Sequence, residues 1–166
     1  GHAVLQTAAL LDGFYGDVIV LSGDVPLLKG STLRALLAKH REGNFVATVL
    51  TAIAENPTGY GRVIRTREDY FDQVVEHKDA TEEQLSIDEI NSGIYVFDSQ
   101  KLFAELSKVG NSNAQGEYYL PDVLPLLQKA NAKVGVEICE TFSEIQGINT
   151  VDELKTVEAK ILASQE

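Results

Sequence analysis

The sequence predicts a doubly wound α/β fold, in which helices cover both faces of a mostly parallel β-sheet. Segments with strand character alternate with segments of helical periodicity along the chain. The run at residues 18–21 is apolar on both strand faces, which is typical of a strand covered from both sides. Folds of this class usually open with a strand and a Gly-rich turn that holds phosphates at a helix N-terminus, and this sequence contains no such turn. We therefore expect the fold without its opening Gly-rich βα unit.

Each predicted element follows from a local pattern. Ser31 is the expected N-cap of a helix that Gly43 ends, Thr81 and Gln84 have capping-box spacing, and Thr150 is the expected N-cap of the last helix. Apolar, β-branched and aromatic runs predict strands at residues 18–21, 45–53, 63–64, 74–75, 90–97 and 133–139. Helical patterns predict helices at residues 2–11, 31–43, 81–88, 99–106 and 120–130, and from residue 150 onward.

Composition limits the classes of function. The chain has 166 residues, of which 44% are hydrophobic and 23% charged, as expected for one globular domain over residues 1–166. With a formal net charge of −11 and no basic cluster, we expect neither nucleic acid nor an anionic membrane as a partner. No apolar run is long enough to cross a bilayer, and the first residues have no signal-peptide pattern. Cys139 is the only cysteine, so no internal disulfide can form, which fits a cytoplasmic location.

Two residues beside predicted elements suit a divalent cation. Asp24 follows the first apolar strand, and ligands of open α/β sheets bind outside the carboxyl ends of strands. Gly23 before it would let backbone and ligand approach closely. A carboxylate there suits Mg²⁺, although an ordinary Asp in a turn before Pro26 is the alternative. Asn149, ahead of the last predicted helix, is either a second oxygen ligand or simply a helix-entry residue.

Polar segments between the predicted strands are candidates for substrate contacts. The turn at residues 57–61 leaves backbone N–H groups open to a ligand, or merely joins two strands. The run at residues 76–79 offers a carboxylate to sugar hydroxyls, or is a solvated strand end. Asn91 has an amide that donates and accepts hydrogen bonds, and could equally be an ordinary loop residue. The run at residues 111–119 forms either a surface loop or one wall of a sugar pocket.

Taken in order, these segments resemble the uridyltransferase domain of the bifunctional bacterial N-acetylglucosamine-1-phosphate uridyltransferase/glucosamine-1-phosphate acetyltransferase. The most specific matches are Glu-His-Lys-Asp-Ala at residues 76–80 and Asn-Ala-Gln-Gly-Glu-Tyr-Tyr at residues 113–119. Gly-Asp-Val-Pro at residues 23–26 is shared with other sugar nucleotidyltransferases. Further matches lie at residues 1–3, 57–62, 89–94 and 147–149, so the resemblance extends over nearly the whole chain.

The resemblance implies a Rossmann-like nucleotidyltransferase fold and a role for each candidate residue. Asp24 and Asn149 are the implied catalytic residues and ligands of Mg²⁺. Gly1 and His2 resemble the end of a Gly-Thr-Gly-His segment whose preceding residues contact the uracil of the nucleotide. The implied substrate-binding residues are Gly23, Gly61 through its backbone N–H, Glu76, Asn91, Glu117 and Tyr119.

The implied activity makes UDP-N-acetylglucosamine and pyrophosphate from UTP and N-acetylglucosamine 1-phosphate, in the synthesis of cell-wall precursors. The Gly-rich loop that opens the family's domain and holds the UTP phosphates is not found in this sequence, nor is the acetyltransferase β-helix. We therefore expect the C-terminal portion of the domain, with very weak UTP binding and negligible turnover alone. Ser22, where a Tyr is frequent, and Pro121, where a Thr is common, are further departures.

Three interpretations stay open at the level of the sequence. In the first and favoured one, the chain is a fragment of an active enzyme, because Asp24 and Asn149 are both retained. In the second it is a non-catalytic module that binds a sugar phosphate or a protein partner. In the third the enzyme acts on another sugar 1-phosphate. Without the opening unit, apolar surface of the sheet should be exposed, so we expect association, for example as a homodimer.

Overall fold

The computed structural model describes residues 1–148 and 150–163 of the chain. The strands are β1 (Asp17–Val20), β2 (Ala47–Ile53), β3 (Arg62–Arg65), β4 (Phe71–Val75), β5 (Glu89–Asp98) and β6 (Val134–Ile138). The α-helices are α1 (His2–Leu5), α2 (Gly30–Glu42), α3 (Glu82–Leu85), α4 (Ser99–Leu106), α5 (Val123–Lys129) and α6 (Val151–Ala163). Short 3₁₀ turns lie at Ala8–Leu11, Leu120–Asp122 and Phe142–Glu144.

The strands form one sheet in the order β4-β3-β5-β2-β6, and β1 pairs with the second half of β5 on the side that also holds β3. Among the described residues, β2 and β6 are the only parallel pair, and the other strand pairs are antiparallel. The α/β class is confirmed, but the predicted predominance of parallel pairing is corrected. An apolar run indicates that a strand is buried on both faces. A central antiparallel strand such as β5 is also buried on both faces, so the run does not indicate the direction of the strand.

Strand directions nevertheless place several loops at one edge of the sheet. Because β1, β2 and β3 are each antiparallel to β5, and β6 is parallel to β2, these four strands run in the same direction. The carboxyl ends of β1, β2 and β6 therefore lie at the edge where β5 begins. The β3–β4 hairpin starts level with Ile90 and extends beyond this edge. Ligands of open α/β sheets bind at such an edge.

Helices cover both faces of the sheet, as predicted. Successive residues of a strand point to opposite faces, so each strand contributes to two cores. On one face, Leu36 of α2 packs in a cluster with Leu50 and Ile94. On the other face, Val49 belongs to a cluster with Leu102 of α4, and α5 packs there as well. All five side chains are 0% exposed, so the central strands are buried between two helical layers.

Local signals placed several helix ends correctly, but the predicted N-cap Ser31 is wrong, because α2 begins at Gly30 after the N-cap Lys29. The predicted capping box forms: the Gln84 N–H donates to Thr81 Oγ1 at 3.3 Å, and the Thr81 N–H donates to Gln84 Oε1 at 2.9 Å. The predicted helix over residues 2–11 is wrong as a single element, because α1 ends at Leu5 and a 3₁₀ turn follows. The Thr7 hydroxyl donates to the Val4 carbonyl at 2.7 Å, a local bond of the kind that competes with helix propagation. No helix in residues 1–148 or 150–163 has the length and apolar character needed to cross a membrane.

Candidate active site

The loop after β1 borders a cavity of about 280 Å³ at the edge where β5 begins. Asp24 lies in this loop and is exposed. Neighbouring Gly23 faces open space, with no described atom within 4 Å of a Cβ built on it. We name this space the Asp24 cavity, and its lining consists of Ser22, Asp24, Val25, Thr58, Gly59, Tyr60, Ser92, Ile145, Gly147 and Glu153.

The segment before α6 lies against the Asp24 loop. The Ile148 N–H donates to the backbone carbonyl of Asp24 at 3.0 Å, and Gly147 lines the cavity. Asn149, the predicted second ligand of the cation, lies outside the described residues, so its role stays a prediction. The chain immediately before it nevertheless contacts the Asp24 loop directly.

Tyr60 forms a further wall of the Asp24 cavity. Its ring packs edge-on against Phe142, with ring centroids 5.8 Å apart and an interplanar angle of 75°. Burial raises the pKa of the Tyr60 hydroxyl, and the negative charges of Glu153 and Asp24 raise it further. A hydrogen bond to the Gly147 backbone acts in the opposite direction. Tyr60 therefore presents a neutral hydroxyl at neutral pH, beside both segments that border the cavity.

Oxygen atoms predominate among the donors that this cavity offers, through the side chains of Ser22, Asp24, Tyr60, Ser92 and Glu153. Oxygen ligands suit Mg²⁺ better than a soft transition metal. Across the described part of the chain, no three His, Cys, Asp or Glu side chains are grouped closely enough to hold a metal ion. Mg²⁺ commonly takes only one or two protein ligands and completes its coordination with substrate phosphates and water. The donor set therefore fits a Mg²⁺ ion that is bound together with a phosphate substrate.

Three of the predicted substrate-binding residues lie where β3 begins beside β5, namely Gly61, Glu76 and Asn91. The Asn91 N–H donates to the Gly61 carbonyl at 2.9 Å. A Cβ at position 61 would lie 3.1 Å from Val74 Cγ1 and 3.2 Å from Glu76 Oε1, so only glycine fits here without displacing a neighbour. Asn91 Nδ2 donates to the hydroxyl of Tyr95 at 2.7 Å, and burial raises the pKa of that hydroxyl. The structure thus brings three of the predicted substrate-binding residues together.

Four carboxylates, those of Glu76, Asp79, Glu117 and Asp122, influence one another in this region, and we name them the acidic group. Burial raises the pKa of Glu76, and the charges of Asp122, Asp79 and Glu117 raise it further. Burial also raises the pKa of Asp122, as does the charge of Asp79, whereas the N-terminal ammonium lowers it. Such a region favours sugar hydroxyls, which donate hydrogen bonds to carboxylates, and disfavours phosphate.

The loop at residues 111–119 docks on the turn that follows β4. Asp79 Oδ1 accepts the Ala114 N–H at 2.8 Å, and Lys78 Nζ donates to Gln115 Oε1 at 2.7 Å. Gln115 Nε2 donates to the Tyr119 hydroxyl at 2.9 Å, which in turn lies 3.4 Å from Asp79 Oδ2. Predicted residue Tyr119 is therefore held beside the acidic group.

Glu117 lies on the same loop and is exposed, and its N–H donates to Asn113 Oδ1 at 3.1 Å. Gly1 packs so closely on the loop that a Cβ there would lie 2.6 Å from the Tyr118 carbonyl oxygen. The ring of His2 lies 6.3 Å from that of Tyr118, measured between centroids. Gly1 and His2 line a second cavity of about 300 Å³ and not the Asp24 cavity.

Sequence reasoning did not single out several residues of this region. Tyr60 and Ser92 each adjoin a chosen residue, so proximity in sequence was the available signal. The Glu153 N–H donates to the hydroxyl of the predicted N-cap Thr150 at 3.2 Å, and Glu153 also lines the Asp24 cavity. No local pattern marks Asp122, because its proximity to Glu76 arises from packing of the 3₁₀ turn Leu120–Asp122 against β4.

Comparison with protein families matches residues 1–141 to the nucleotidyl transferase family. A bifunctional protein GlmU of Exiguobacterium sp. is 50% identical over 159 residues, covering 96% of this chain and 35% of the relative. A bifunctional protein GlmU of Bacillus cereus (strain G9842) is 47% identical over 161 residues, covering 97% of this chain and 35% of the relative. The chain thus spans about a third of the length of these relatives.

Solved structures support the same fold at low sequence identity. An apo UDP-glucose pyrophosphorylase aligns with a TM-score of 0.62 and 17% identity over 84% of this chain and 51% of that chain. A CMP:2-keto-3-deoxy-manno-octonic acid synthetase in complex with CTP aligns with a TM-score of 0.66 and 14% identity, over 97% of this chain and 68% of that one. At these identities the likeness concerns the fold alone.

Proposed function

Since the chain belongs to the nucleotidyl transferase family, we propose that it forms part of a uridyltransferase domain. The proposed reaction joins N-acetylglucosamine 1-phosphate to UTP, and gives UDP-N-acetylglucosamine and pyrophosphate for cell-wall precursors. Sequence identity of about half with two GlmU proteins supports this assignment. The observation on which it depends most is the contact between the Asp24 loop and the Gly147–Ile148 segment, because Asn149 directly follows that segment in sequence.

Asp24 and Asn149 are proposed to hold a Mg²⁺ ion at the Asp24 cavity. A bound Mg²⁺ would neutralise the charge of the phosphates, which a protein with a formal net charge of −11 otherwise repels. The exposed position of Asp24 leaves its carboxylate accessible to a hydrated cation and to substrate oxygens. Tyr60 adds a neutral hydroxyl donor on the same cavity wall.

The sugar is proposed to lie between β3, β5 and the 111–119 loop. The backbone N–H of Gly61, the Glu76 carboxylate and the Asn91 amide would bind its hydroxyl and acetamido groups, with Glu117 and Tyr119 on the opposite side. Ser92 lines the Asp24 cavity while Asn91 contacts Gly61, so the sugar site adjoins the phosphate site. Gly23 borders the phosphate, and Gly1 and His2 are proposed to border the nucleotide.

In the proposed reaction, an oxygen of the sugar phosphate forms a bond to the α-phosphorus of UTP. The bond from that phosphorus to the bridging oxygen of the departing pyrophosphate breaks. No covalent intermediate with the protein is needed, so the residues of this chain act by orienting the two anions. The acidic group excludes phosphate from the sugar end, which helps to fix the direction in which the sugar phosphate binds.

Calorimetric titration of the 166-residue chain with N-acetylglucosamine 1-phosphate tests this proposal. We expect binding that requires Mg²⁺ and that Asp24→Asn weakens at least about tenfold, because one of the two proposed protein ligands loses its charge. Glu76→Gln should reduce the preference for N-acetylglucosamine 1-phosphate over glucose 1-phosphate. Asp72→Asn, which removes an exposed carboxylate from β4, is the control and should leave binding unchanged.

Equal binding with and without Mg²⁺, retained in Asp24→Asn, would contradict nucleotidyl transfer and favour a non-catalytic binding module. Tighter binding of glucose 1-phosphate would favour the interpretation in which the enzyme acts on another sugar 1-phosphate.

We also propose a cytoplasmic location, which the free thiol of Cys139 supports. Self-association as a homodimer through the exposed side of β1 is proposed as well.

A further inference from the structure

Arg62, the first residue of β3, is a buried cation without an ion-pair partner among the described residues. Its residue is 1% exposed. Nη1 donates to the backbone carbonyl of Tyr60, and Nη2 lies 3.4 Å from Nδ1 of His77. Nε is buried and has no hydrogen-bond partner in the described structure. Burial lowers the pKa of the guanidinium, as expected when no anion compensates the loss of water.

The environment of Arg62 differs from that of Arg65, which lies on the same strand and has an ion-pair partner. Arg65 forms a bidentate pair with Glu89, through Nε at 2.9 Å and Nη2 at 2.7 Å. A buried charge that lacks such a partner destabilises the folded state, and an unsatisfied buried donor adds to that effect. The contacts of Arg62 to two loops therefore call for an explanation other than stability.

Both loops that Arg62 contacts lead into the proposed sugar site. Tyr60 belongs to the turn before β3 and directly precedes Gly61. His77 directly follows Glu76 in the turn after β4. Gly61 and Glu76 are so close that a Cβ at position 61 would lie 3.2 Å from Glu76 Oε1. A shift of either turn by a fraction of an ångström would therefore change the gap that a sugar hydroxyl has to fill.

We propose that Arg62 is a positioning residue, which holds the Tyr60 carbonyl and the His77 ring and thereby sets the spacing between Gly61 and Glu76. The role of Arg62 in sugar binding rests on the proposed function, whereas its contacts with the two turns do not depend on that function. Arg62 acts through its neighbours, because a residue that is 1% exposed offers almost no surface to a ligand, and it does not line the Asp24 cavity.

The contact with His77 has a chemical consequence that can be measured. A guanidinium has donors only, so Nδ1 of His77 must accept, and the proton of the neutral ring must lie on Nε2. Arg62 therefore selects one tautomer of His77. In this protein the only other imidazoles are those of His2 and His40, so the ring signals can be assigned with single variants.

Nitrogen-15 NMR of the imidazole rings tests the hold on the turn. In the unsubstituted chain we expect His77 Nδ1 to be unprotonated, and in Arg62→Met we expect a mixture of tautomers together with shifted amide signals of Gly61 and Glu76. An unchanged tautomer and unchanged amide signals in Arg62→Met would overturn the proposal. Should that variant fail to fold, His77→Leu removes the acceptor at a half-buried position and should shift the Gly61 and Glu76 amide signals likewise.

Titration with N-acetylglucosamine 1-phosphate tests the consequence for the site. We expect Arg62→Lys to weaken binding about tenfold, His77→Leu to weaken it similarly, and His77→Asn, which keeps an acceptor near the Nδ1 position, to restore it to within about threefold. Val63→Ala removes buried apolar contacts from the same strand and serves as the control for lost stability.

A loss of affinity in Val63→Ala as large as that in Arg62→Lys, at equal loss of unfolding free energy, would show that Arg62 is merely structural. If the unsubstituted chain does not bind the sugar phosphate at all, the proposed function fails. The imidazole and amide signals then still decide whether Arg62 positions the two turns.

Discussion

His40 shows how burial and charge compete at a single residue. It is 3% exposed, its Nδ1 lies 2.9 Å from the Thr48 hydroxyl, and its Nε2 lies 3.6 Å from Asp17 Oδ1. Burial lowers the pKa of His40 below its ordinary value of 6.5, although the charge of Asp17 acts to raise it. Desolvation outweighs the neighbouring carboxylate, so the folded protein favours the neutral ring.

This pKa makes stability depend on pH in a defined direction. Protonation favours the unfolded chain, in which His40 has the higher pKa, so its contribution is complete above the ordinary value of 6.5 and declines as the pH falls below it. His40→Gln should lose less unfolding free energy than the unsubstituted chain between about pH 8 and about pH 5.5, measured by urea denaturation. His2→Gln, at an exposed position, is the control. Identical pH dependence in His40→Gln and the unsubstituted chain would contradict this account.

Residue chemistry together with the family resemblance selected Asp24, Gly61, Glu76 and Asn91 from the sequence, whereas residue chemistry alone left other interpretations open for these segments. The structure gathers the last three, because Asn91 bonds to Gly61 and Glu76 lies against it. Arg62 could not be selected in this way. Its interest arises from burial and from contacts across two turns, and neither is visible in a local pattern of residues.

At the scale of elements, strands and helices were predictable because periodicity and capping residues are local. The ends of α4 appear where the sequence predicts them, and β3 and β4 include the predicted strand residues 63–64 and 74–75. Strand direction was not predictable, because it depends on which strands become neighbours. β5 lies between β1 and β2 and is antiparallel to both. β1 and β2 therefore run in the same direction, but each of them forms an antiparallel pair.

The outer edge of β1 supports the proposal of self-association. In the described ranges β1 pairs with β5 alone, and an open edge can pair with another chain. Exposed apolar side chains lie in and beside it, with Ile19 at 36%, Leu21 at 50% and Tyr15 at 80% exposure. Light scattering over a range of concentrations should give a dimer mass, and Ile19→Lys should weaken association at least about tenfold. A monomer mass at every concentration would contradict the proposal.

At the scale of the whole molecule, the sheet edge has two chemically distinct ends. The Asp24 cavity combines one exposed carboxylate with hydroxyl groups and the Gly147–Ile148 segment, as a cation with phosphates requires. The acidic group lies at the other end, under the 111–119 loop, and suits sugar hydroxyls.

Titration of the isotope-labelled chain with Mn²⁺, a paramagnetic substitute for Mg²⁺, locates the cation most directly. We predict that broadening of backbone amide signals is centred on Asp24, Tyr60 and Gly147, and that Asp24→Asn abolishes it. Broadening centred on Asp79 and Glu117 would contradict the account, because the cation would then occupy the acidic group instead of the Asp24 cavity.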